Sequence, residues 1–298
     1  MAEFLEILKA IIFGIVEGIT EWLPVSSTGH IILLDEFIRL SVAPTLGEAF
    51  AKEYMSMFEV VIQLGAIMAV VVLFFNKLNP LSSSKGDTER RATLTLWLKV
   101  LIASIPAAFV GIVLDKLLEE LTGKDIDGWI YNFLTVAVAL IVYGILFIII
   151  EKLHKSKPYK AERVEDISYR DALLIGGCQM LAIIPGTSRS GSTILGARLL
   201  GVSRTAAAEF SFFMGIPAML GASLLKSLGF LCYVLESNVS VPLFAYVVLI
   251  IATAVSFGVS LVTIRFLMNF VKTHDFIPFG IYRIALGAIL IVYYLVRY

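Results

Sequence analysis

Two glutamates and a hydroxyl-rich turn stand close together near the start of the sequence. Glu17 and Glu21 are four residues apart, so on a helix both carboxylates project from one face and repel each other. Pro24 then interrupts the backbone, and the run SSTGH follows at 26–30. A helix that begins in this run would direct unpaired N–H groups and the positive end of its dipole toward the preceding turn. The stretch is therefore suited to bind a phosphate beside two acids.

A second hydroxyl-rich break, PGTSRSGST at 185–193, carries one arginine. Arg189 lies in an apolar stretch, where an unpaired arginine costs about 2.5 kcal/mol or more, so it should face a cavity and meet an anion. Glu17 and Glu21 could serve as that anion at rest, and a phosphate during turnover. A helix that begins near Thr187 would present the guanidinium, several hydroxyls and free N–H groups together. This set of groups is suited to bind a diphosphate.

The composition is that of a membrane protein. Of the 298 residues, 58% are hydrophobic and 16% are charged, and the mean hydropathy is +0.89. Several segments approach the roughly 20 residues that a helix needs to cross a ~30 Å hydrocarbon layer. We therefore predict an all-α polytopic membrane protein, and the net charge of zero gives no indication of nucleic acid as a partner. The predicted spans are 56–75, 94–114, 129–150, 208–230, 242–266 and 277–297.

Two further apolar regions, 4–40 and 171–201, are each divided by a break rich in proline, glycine, serine and threonine. This pattern predicts a re-entrant helix–turn–helix that enters the membrane and turns back. Irregular backbone is tolerated at that depth only where protein or a water-filled cavity surrounds it. We therefore expect both breaks to line a cavity.

The two halves of the chain repeat. An offset of 162 residues places the first break on the second, and further along an offset of about 150 places Glu59 on Glu209. Each half is then one re-entrant hairpin followed by three spans, and an odd number of spans inverts the second half relative to the first. We predict a single membrane domain over 1–298, with repeats at about 1–150 and 171–298 and a basic connector at 151–170. The first offset pairs Gly14 with Gly176, Glu17 with Gln179, Ser26 with Ser188, Thr28 with Ser190, and Gly29 with Gly191.

Loop charges predict the orientation of the chain. The segments 76–93 and 151–170 are rich in lysine and arginine, whereas the loops on the opposite side carry acids such as Glu120 and Glu236. By the positive-inside rule the basic side is cytoplasmic. The first hairpin then enters from outside, and we expect the site to open to the extracytoplasmic side.

Four other charged residues within or beside the spans are expected to lie outside the site. Glu59 and Glu209 are predicted near the starts of their spans, where a carboxylate suits a helix N-terminus. Arg265 and Arg283 are predicted to be interfacial side chains that reach toward water, or loop charges. The connecting runs at 82–91 and 155–166 are predicted to be solvated.

The two breaks also carry a resemblance to a known family. The runs EGITE and PVSSTGH within 17–30 and PGTSRSGST at 185–193 resemble the two signature motifs of the undecaprenyl-diphosphate phosphatase family, the bacitracin-resistance proteins of bacterial envelopes. The similarity extends over essentially the whole chain, and no motif position departs from the family pattern. Gln179 stands where the family accepts Gln or Glu. Further matching runs are FEVVIQLGAI at 58–67, AAAEFSF at 206–212 and FIPFGIYR at 276–283.

The resemblance implies removal of the terminal phosphate from a C55 isoprenyl diphosphate in the bacterial plasma membrane. This reaction releases inorganic phosphate, recycles the lipid carrier for cell-wall synthesis and confers bacitracin resistance. The implied partners are the lipid substrate and the bilayer, and a homodimer is left open.

The same residues fit this chemistry on physical grounds. In-line attack by a hydroxyl needs positive groups on the equatorial oxygens and an acid at the leaving oxygen. We expect Ser27 to be the nucleophile, His30 to take its proton or protonate the leaving group, and Arg189 to neutralise charge on the phosphoryl group. Glu21 and Glu17 would bind a divalent cation, Mg²⁺ or Ca²⁺, or act as base. The residues expected to hold phosphate oxygens are Ser26, Thr28, Gln179, Ser188, Ser190 and Thr193.

Other interpretations stay open. Inverted repeats with broken helices are typical of secondary transporters, so the chain could move a lipid phosphate or a small anion, although transport alone does not require Ser27, His30 and Glu21. The run at 27–30 superficially suggests the acid-phosphatase superfamily, but the Lys…Arg-Pro motif and second histidine of that family do not occur here. A structural scaffold would leave Glu17, Glu21 and Arg189 unexplained. Water in place of Ser27 is the alternative nucleophile.

Overall fold

The computed structural model describes residues 2–82, 85–114, 117, 120–121, 132–155 and 157–297. This part of the chain is helical, without strands apart from one isolated bridge between Ala161 and Val202. The predicted all-α class is confirmed. The main helices are α1 (Ala2–Thr20), α2 (Ser27–Phe37), α3 (Gly47–Leu73), α4 (Asp87–Phe109), α5 (Phe133–Leu153), α6 (Tyr169–Gln179), α7 (Arg189–Leu199), α8 (Arg204–Glu236), α9 (Leu243–Thr273) and α10 (Ile277–Arg297).

Six of the described helices, α3, α4, α5, α8, α9 and α10, are long and apolar enough to cross a membrane. They confirm the six predicted spans but differ at their ends. Helix α3 begins at Gly47 because it continues through Glu48 and Lys52, polar residues that an apolar window leaves out. The predicted start at 129 lies outside the described residues, and α5 is described from Phe133. The protein is therefore a multi-pass membrane protein.

The outer faces of the spans are apolar. On α8, for example, Leu220, Leu224, Leu228 and Leu231 are all exposed. Their spacing of three and four residues places them on one stripe of the helix. An exposed leucine stripe on a helix of this length is suited to contact lipid.

Both predicted hairpins are present as pairs of helices joined by a break. The break between α1 and α2 covers 21–26, and the break between α6 and α7 consists of a 3₁₀ turn at Met180–Ile183 followed by 184–188. Helices α2 and α7 have 11 residues each, too few to cross a hydrocarbon layer. Each hairpin therefore ends within the helical bundle.

Each hairpin packs against a span from the other half of the chain. Helix α1 packs against α9 of the second half, and α6 packs against α4 of the first half. A β-carbon built on Gly14 would lie 2.5 Å from the carbonyl oxygen of Ala252, and one built on Gly176 would lie 2.1 Å from that of Ala103. These contacts are reciprocal between the halves, and the repeat itself stays a prediction. The inverted orientation of the second half stays a prediction.

The connector at 151–170 contains the run at 155–166, which is less solvated than predicted. Lys160 N donates to Gly201 O at 2.8 Å, Ser203 N donates to Ala161 O at 2.9 Å, and Val164 is fully buried. At its start, the buried Glu151 accepts from Arg198 at 2.8 Å and from Arg204 at 2.6 Å. Hydropathy did not predict these contacts, because the few apolar residues of the run are buried and several of its charges pair with other segments, as Glu165 does with Lys77. The connector thereby fastens the end of α7 to the start of α8.

The close approach of α6 to α4 yields a stability prediction. Replacing Gly176 by Ala puts a methyl group against the backbone of Ala103, so we expect the free energy of unfolding in detergent to fall by about 1–3 kcal/mol. The matched control is Gly177→Ala, one residue along the same helix, where an added methyl group meets nothing within 4 Å. It should leave stability unchanged or slightly higher. Equal stabilities for the two variants would contradict the packing described.

Candidate active site

The carboxylate of Glu21 joins the two hairpins. Ser27 Oγ donates to Glu21 Oε2 at 2.6 Å. Arg189 donates to Glu21 Oε1 from Nη2 at 3.0 Å and from Nε at 3.3 Å. The side chains of Glu21 and Arg189 are only 6% and 13% exposed, so the ion pair is held away from water. The expected meeting of an acid from the first break with the arginine of the second is present.

The two partners of Glu21 are the first residues of α2 and α7. Both helices begin with a serine cap: Ser26 Oγ accepts from Gly29 N at 3.2 Å, and Ser188 Oγ accepts from Gly191 N at 3.1 Å. Both serines have left-handed φ angles, 77° and 70°, a conformation that costs a non-glycine residue about 1 kcal/mol or more. The second helix was predicted to begin near Thr187 and begins at Arg189. Two positive helix ends are thus placed beside one carboxylate.

Helix α8 fixes the position of the Arg189 side chain. Arg189 Nη1 donates to Ser211 O at 2.7 Å, and Thr193 Oγ1 lies 2.7 Å from Ser211 Oγ. A β-carbon on Gly215 would lie 3.0 Å from the guanidinium carbon, so a larger residue there would press on the guanidinium. Ser211 and Gly215 were not predicted. The run at 206–212 pointed to this helix, but no spacing rule connects it to residue 189.

The hydroxyls of Ser190 and Thr193 bond backbone oxygens of the two hairpins. Ser190 Oγ donates to the backbone oxygen of Glu21 at 3.0 Å and lies 3.1 Å from Ser188 Oγ. Thr193 Oγ1 donates to the carbonyl of Arg189 at 3.0 Å. These contacts hold the two hairpins together. Two other predicted phosphate-binding residues, Thr28 and Ser188, are only half buried.

Glu17 lies one helical turn before Glu21, with Glu21 N donating to Glu17 O at 3.0 Å. Its side chain is 1% exposed, and its Oε1 has no hydrogen-bond partner in the described part of the chain. Gln179, at the matching position of the second hairpin, is likewise buried with an unpartnered oxygen. A buried oxygen without a donor is costly, so both side chains are available to a ligand.

The carboxylates of Glu17 and Glu21 are oxygen donors of the kind that Mg²⁺ and Ca²⁺ prefer. The described residues include no group of three or more His, Cys, Asp and Glu side chains that could hold a metal. A magnesium ion is often bound by one or two carboxylates together with substrate phosphates and water. The unpartnered Glu17 oxygen and the Glu21 carboxylate fit that mode of binding.

The structure places His30 away from the hydroxyl of Ser27. His30 Nδ1 is 2.7 Å from Ser26 O, and Nε2 is 2.7 Å from Tyr282 Oη. A carbonyl only accepts, so Nδ1 carries a proton and donates to it. The spacing of three residues does place His30 on the same helix as Ser27, but it does not fix the direction of the ring. Glu21, rather than His30, contacts the Ser27 hydroxyl.

A cavity of about 800 Å³ with several charged residues in its lining reaches Thr28, next to Ser27. Thr28 lines it together with Arg39, Lys52, Glu59 and Gln63. Glu59 was expected at a helix N-terminus outside the site, but it lies well inside α3, which begins at Gly47, and faces the cavity. The hydropathy pattern placed the start of this helix too late and so misplaced Glu59.

Arg283 was predicted at the interface or in a loop and is instead fully buried. It donates from Nη1 to Pro24 O at 3.0 Å, and from Nη2 to Gly186 O at 2.7 Å and Thr187 O at 2.9 Å. One guanidinium therefore bonds both breaks. The sequence could have indicated that Arg283 is buried and bonded, because an unpaired arginine in an apolar span is as costly at 283 as at 189.

Comparison with known proteins agrees with the motifs. A model of the family described as bacitracin resistance protein BacA matches residues 10–289. The undecaprenyl-diphosphatase of Enterococcus faecalis is 53% identical over 292 residues, which cover 98% of this chain and 99% of the relative. The undecaprenyl-diphosphatase of Acetivibrio thermocellus is 50% identical over 98% of each chain, and undecaprenyl-diphosphatase 1 of Clostridioides difficile is 50% identical over 97% of each.

The contact between Gly215 and Arg189 yields a binding prediction. Gly215→Ala should shift the guanidinium by a few tenths of an ångström, strain its bonds to Glu21 and Ser211, and weaken affinity for inorganic pyrophosphate by about threefold to tenfold, since charged hydrogen bonds depend on their geometry. The measurement is protection against thermal unfolding over a pyrophosphate titration. Gly221→Ala on the same helix, where an added methyl group meets nothing within 4 Å, is the control and should bind as wild type. Unchanged protection in Gly215→Ala would show that Arg189 does not hold the anion.

Proposed function

Because the chain belongs to the bacitracin resistance protein BacA family, we propose that it hydrolyses undecaprenyl diphosphate to undecaprenyl phosphate and inorganic phosphate. The reaction returns the lipid carrier to cell-wall synthesis in the bacterial plasma membrane, and it supports bacitracin resistance. One observation carries this proposal. A single buried carboxylate bonds a serine hydroxyl at 2.6 Å and an arginine at 3.0 Å, which is an arrangement for activating a nucleophile beside a phosphate-binding cation.

Ser27 attacks the terminal phosphorus atom. As the bond from Ser27 Oγ to phosphorus forms, the hydroxyl proton passes to Glu21 Oε2, its hydrogen-bond acceptor. The bond from phosphorus to the bridging oxygen breaks, and the lipid monophosphate leaves with the bonding electrons. Water then hydrolyses the phosphoserine and releases inorganic phosphate. Glu21 is the base of the first step and can return its proton to the leaving oxygen.

Positive groups stabilise the transferred phosphoryl. Arg189 supplies a guanidinium whose direction is set by Ser211 and Gly215. The amino ends of α2 and α7 add N–H groups that begin at Ser27 and Arg189. Such groups, fixed before reaction in a site with little water, are an efficient source of transition-state stabilisation.

The remaining predicted residues act around this centre. Glu17 and Glu21 would hold the divalent cation, which neutralises phosphate charge when bound. Thr28 lines the cavity beside the site, Ser188 caps α7, and Ser26, Ser190 and Thr193 bond the backbone on which the site is built. Gln179 offers an unpartnered oxygen at the second hairpin. His30 supports Ser26 and stands outside the proton transfer.

Phosphate release from undecaprenyl diphosphate by the purified protein in detergent tests the proposal. Ser27→Ala should lower turnover about a thousandfold or more, because it removes the attacking atom. Chelation should lower wild-type turnover, and added Mg²⁺ or Ca²⁺ should restore it. The control is Ser104→Ala, which removes a hydroxyl that only bonds its own helix; it should behave as wild type.

The outcomes separate the alternatives. Absence of phosphate release by folded wild type would favour transport of a lipid phosphate, which the paired hairpins would also suit. Full activity of Ser27→Ala would assign the attack to water. A trapped phosphoserine at 27 would support the route through Ser27.

The cavity gives the expected side of entry. Its lining comes from the start of α3, at Lys52, and from the later part of α8, at Lys226. This end of the bundle is the one that carries Glu236, and it lies opposite to the basic segments near Lys77 and Lys152. By the positive-inside rule the cavity then faces the extracytoplasmic side.

Labelling of an introduced cysteine tests this orientation. With Cys178 and Cys232 replaced by Ser, Asn238→Cys in the loop between α8 and α9 should react with a membrane-impermeant maleimide added to intact cells. The control is Lys157→Cys in the connector, which should react only after permeabilisation. The reverse pattern would place the cavity on the cytoplasmic side.

A further inference from the structure

Three side chains of the α5–α10 pair bond the two hairpins. Tyr143 on α5 and the neighbours Tyr282 and Arg283 on α10 belong to opposite halves of the chain. Arg283 Cζ lies over the ring of Tyr143, 5.4 Å from its centre. None of the three contacts Glu21, Ser27 or Arg189 directly in the part of the chain that the structure describes.

Each tyrosine makes one hydrogen bond to a hairpin. Four residues after the cap Ser26, His30 bonds the Tyr282 hydroxyl at 2.7 Å. Four residues after the cap Ser188, Ser192 donates to the Tyr143 hydroxyl at 3.2 Å. Each tyrosine comes from the half of the chain that does not contain the hairpin it bonds. His30 and Ser192 are related by the 162-residue offset, whereas the two tyrosines are not, and the two hydrogen bonds connect the halves of the chain.

Arg283 joins the breaks themselves. Its three acceptors, Pro24 O, Gly186 O and Thr187 O, lie within the irregular backbone before α2 and α7. No carboxylate lies within ion-pair distance of it among the described residues. Burying a guanidinium without an anion is costly, and here uncharged carbonyls and an aromatic face stabilise it. Carbonyls at Pro24 and Gly186 are in turn satisfied where no helix can satisfy them.

We infer that Arg283 is a positioning residue, which fixes the separation of the two hairpin breaks and thereby the contacts of Glu21 with Ser27 and Arg189. The inference rests on the proposed phosphatase function. It follows from the covalent distance along the chain: Pro24 is three residues from Ser27, and Thr187 is two residues from Arg189. A shift of either break relative to the other would move the reacting groups directly.

The test separates positioning from binding and from stability. Arg283→Met keeps the length and the apolar stem but removes all three hydrogen bonds. We expect kcat, per folded protein, to fall about 100-fold, as expected for a misplacement near 1 Å, while KM changes less than about threefold because no phosphate contact is lost. The kcat of Arg283→Lys should lie between those of Arg283→Met and wild type, since an ammonium group has three donors. Arg265→Met, an exposed arginine on α9, is the control and should be unchanged.

Each result has a defined meaning. Wild-type kcat in Arg283→Met would overturn the inference, and so would a loss confined to KM, which would make Arg283 a substrate-binding residue. If Arg283→Met does not fold, Tyr143→Leu and Tyr143→Phe replace it: loss of the ring face should lower kcat and loss of the hydroxyl alone should lower it less. Equal activity of Tyr143→Leu and wild type would then overturn the inference. Inactive wild type would contradict the proposed function instead.

Discussion

The structure depends on one buried carboxylate that is shared between two interrupted helices. Glu21 is buried. A buried acid is tolerated only where a cation and hydrogen-bond donors compensate its lost hydration. Arg189 supplies the cation and Ser27 a donor, and each is the first residue of a helix on a different hairpin. The same pair that compensates the charge also brings a nucleophile and a phosphate-binding group together. Stability and chemistry therefore impose the same geometry on the site.

The interruptions are what make this geometry accessible. A continuous helix would bond its own N–H groups, whereas α2 and α7 each begin inside the bundle, where the first-turn N–H groups have no preceding helical carbonyl to bond. Serine caps with φ angles of 77° and 70° turn the chain at Ser26 and Ser188, and Arg283 bonds the carbonyls that the breaks leave free. Glycines at Gly14 and Gly176 let the hairpins approach the spans of the other half. Irregular backbone at this depth is thus surrounded and bonded by protein groups.

The sequence predicted those parts of the site that follow from the free-energy cost of burying an unpaired charge. The meeting of Glu21 with Arg189 was predictable, because neither charge is tolerated alone in an apolar stretch. The contacts of His30 were not predictable. A spacing of three residues fixes the helix face but not the direction of the ring, which contacts Ser26 O and Tyr282 Oη. Glu59 was misplaced because hydropathy does not show how far a helix extends into polar sequence. Gly215 makes room for Arg189 through a tertiary contact that has no local pattern.

A double-mutant cycle on Glu21→Gln and Arg189→Gln tests the central claim most directly. Unfolding free energies in detergent are measured for wild type, both single variants and the double variant. Each single change leaves a buried charge without its partner and should cost about 3 kcal/mol, and the double variant should cost less than the sum by about 1 kcal/mol or more. Costs that add without a coupling energy would show that the two hairpins do not meet through this pair.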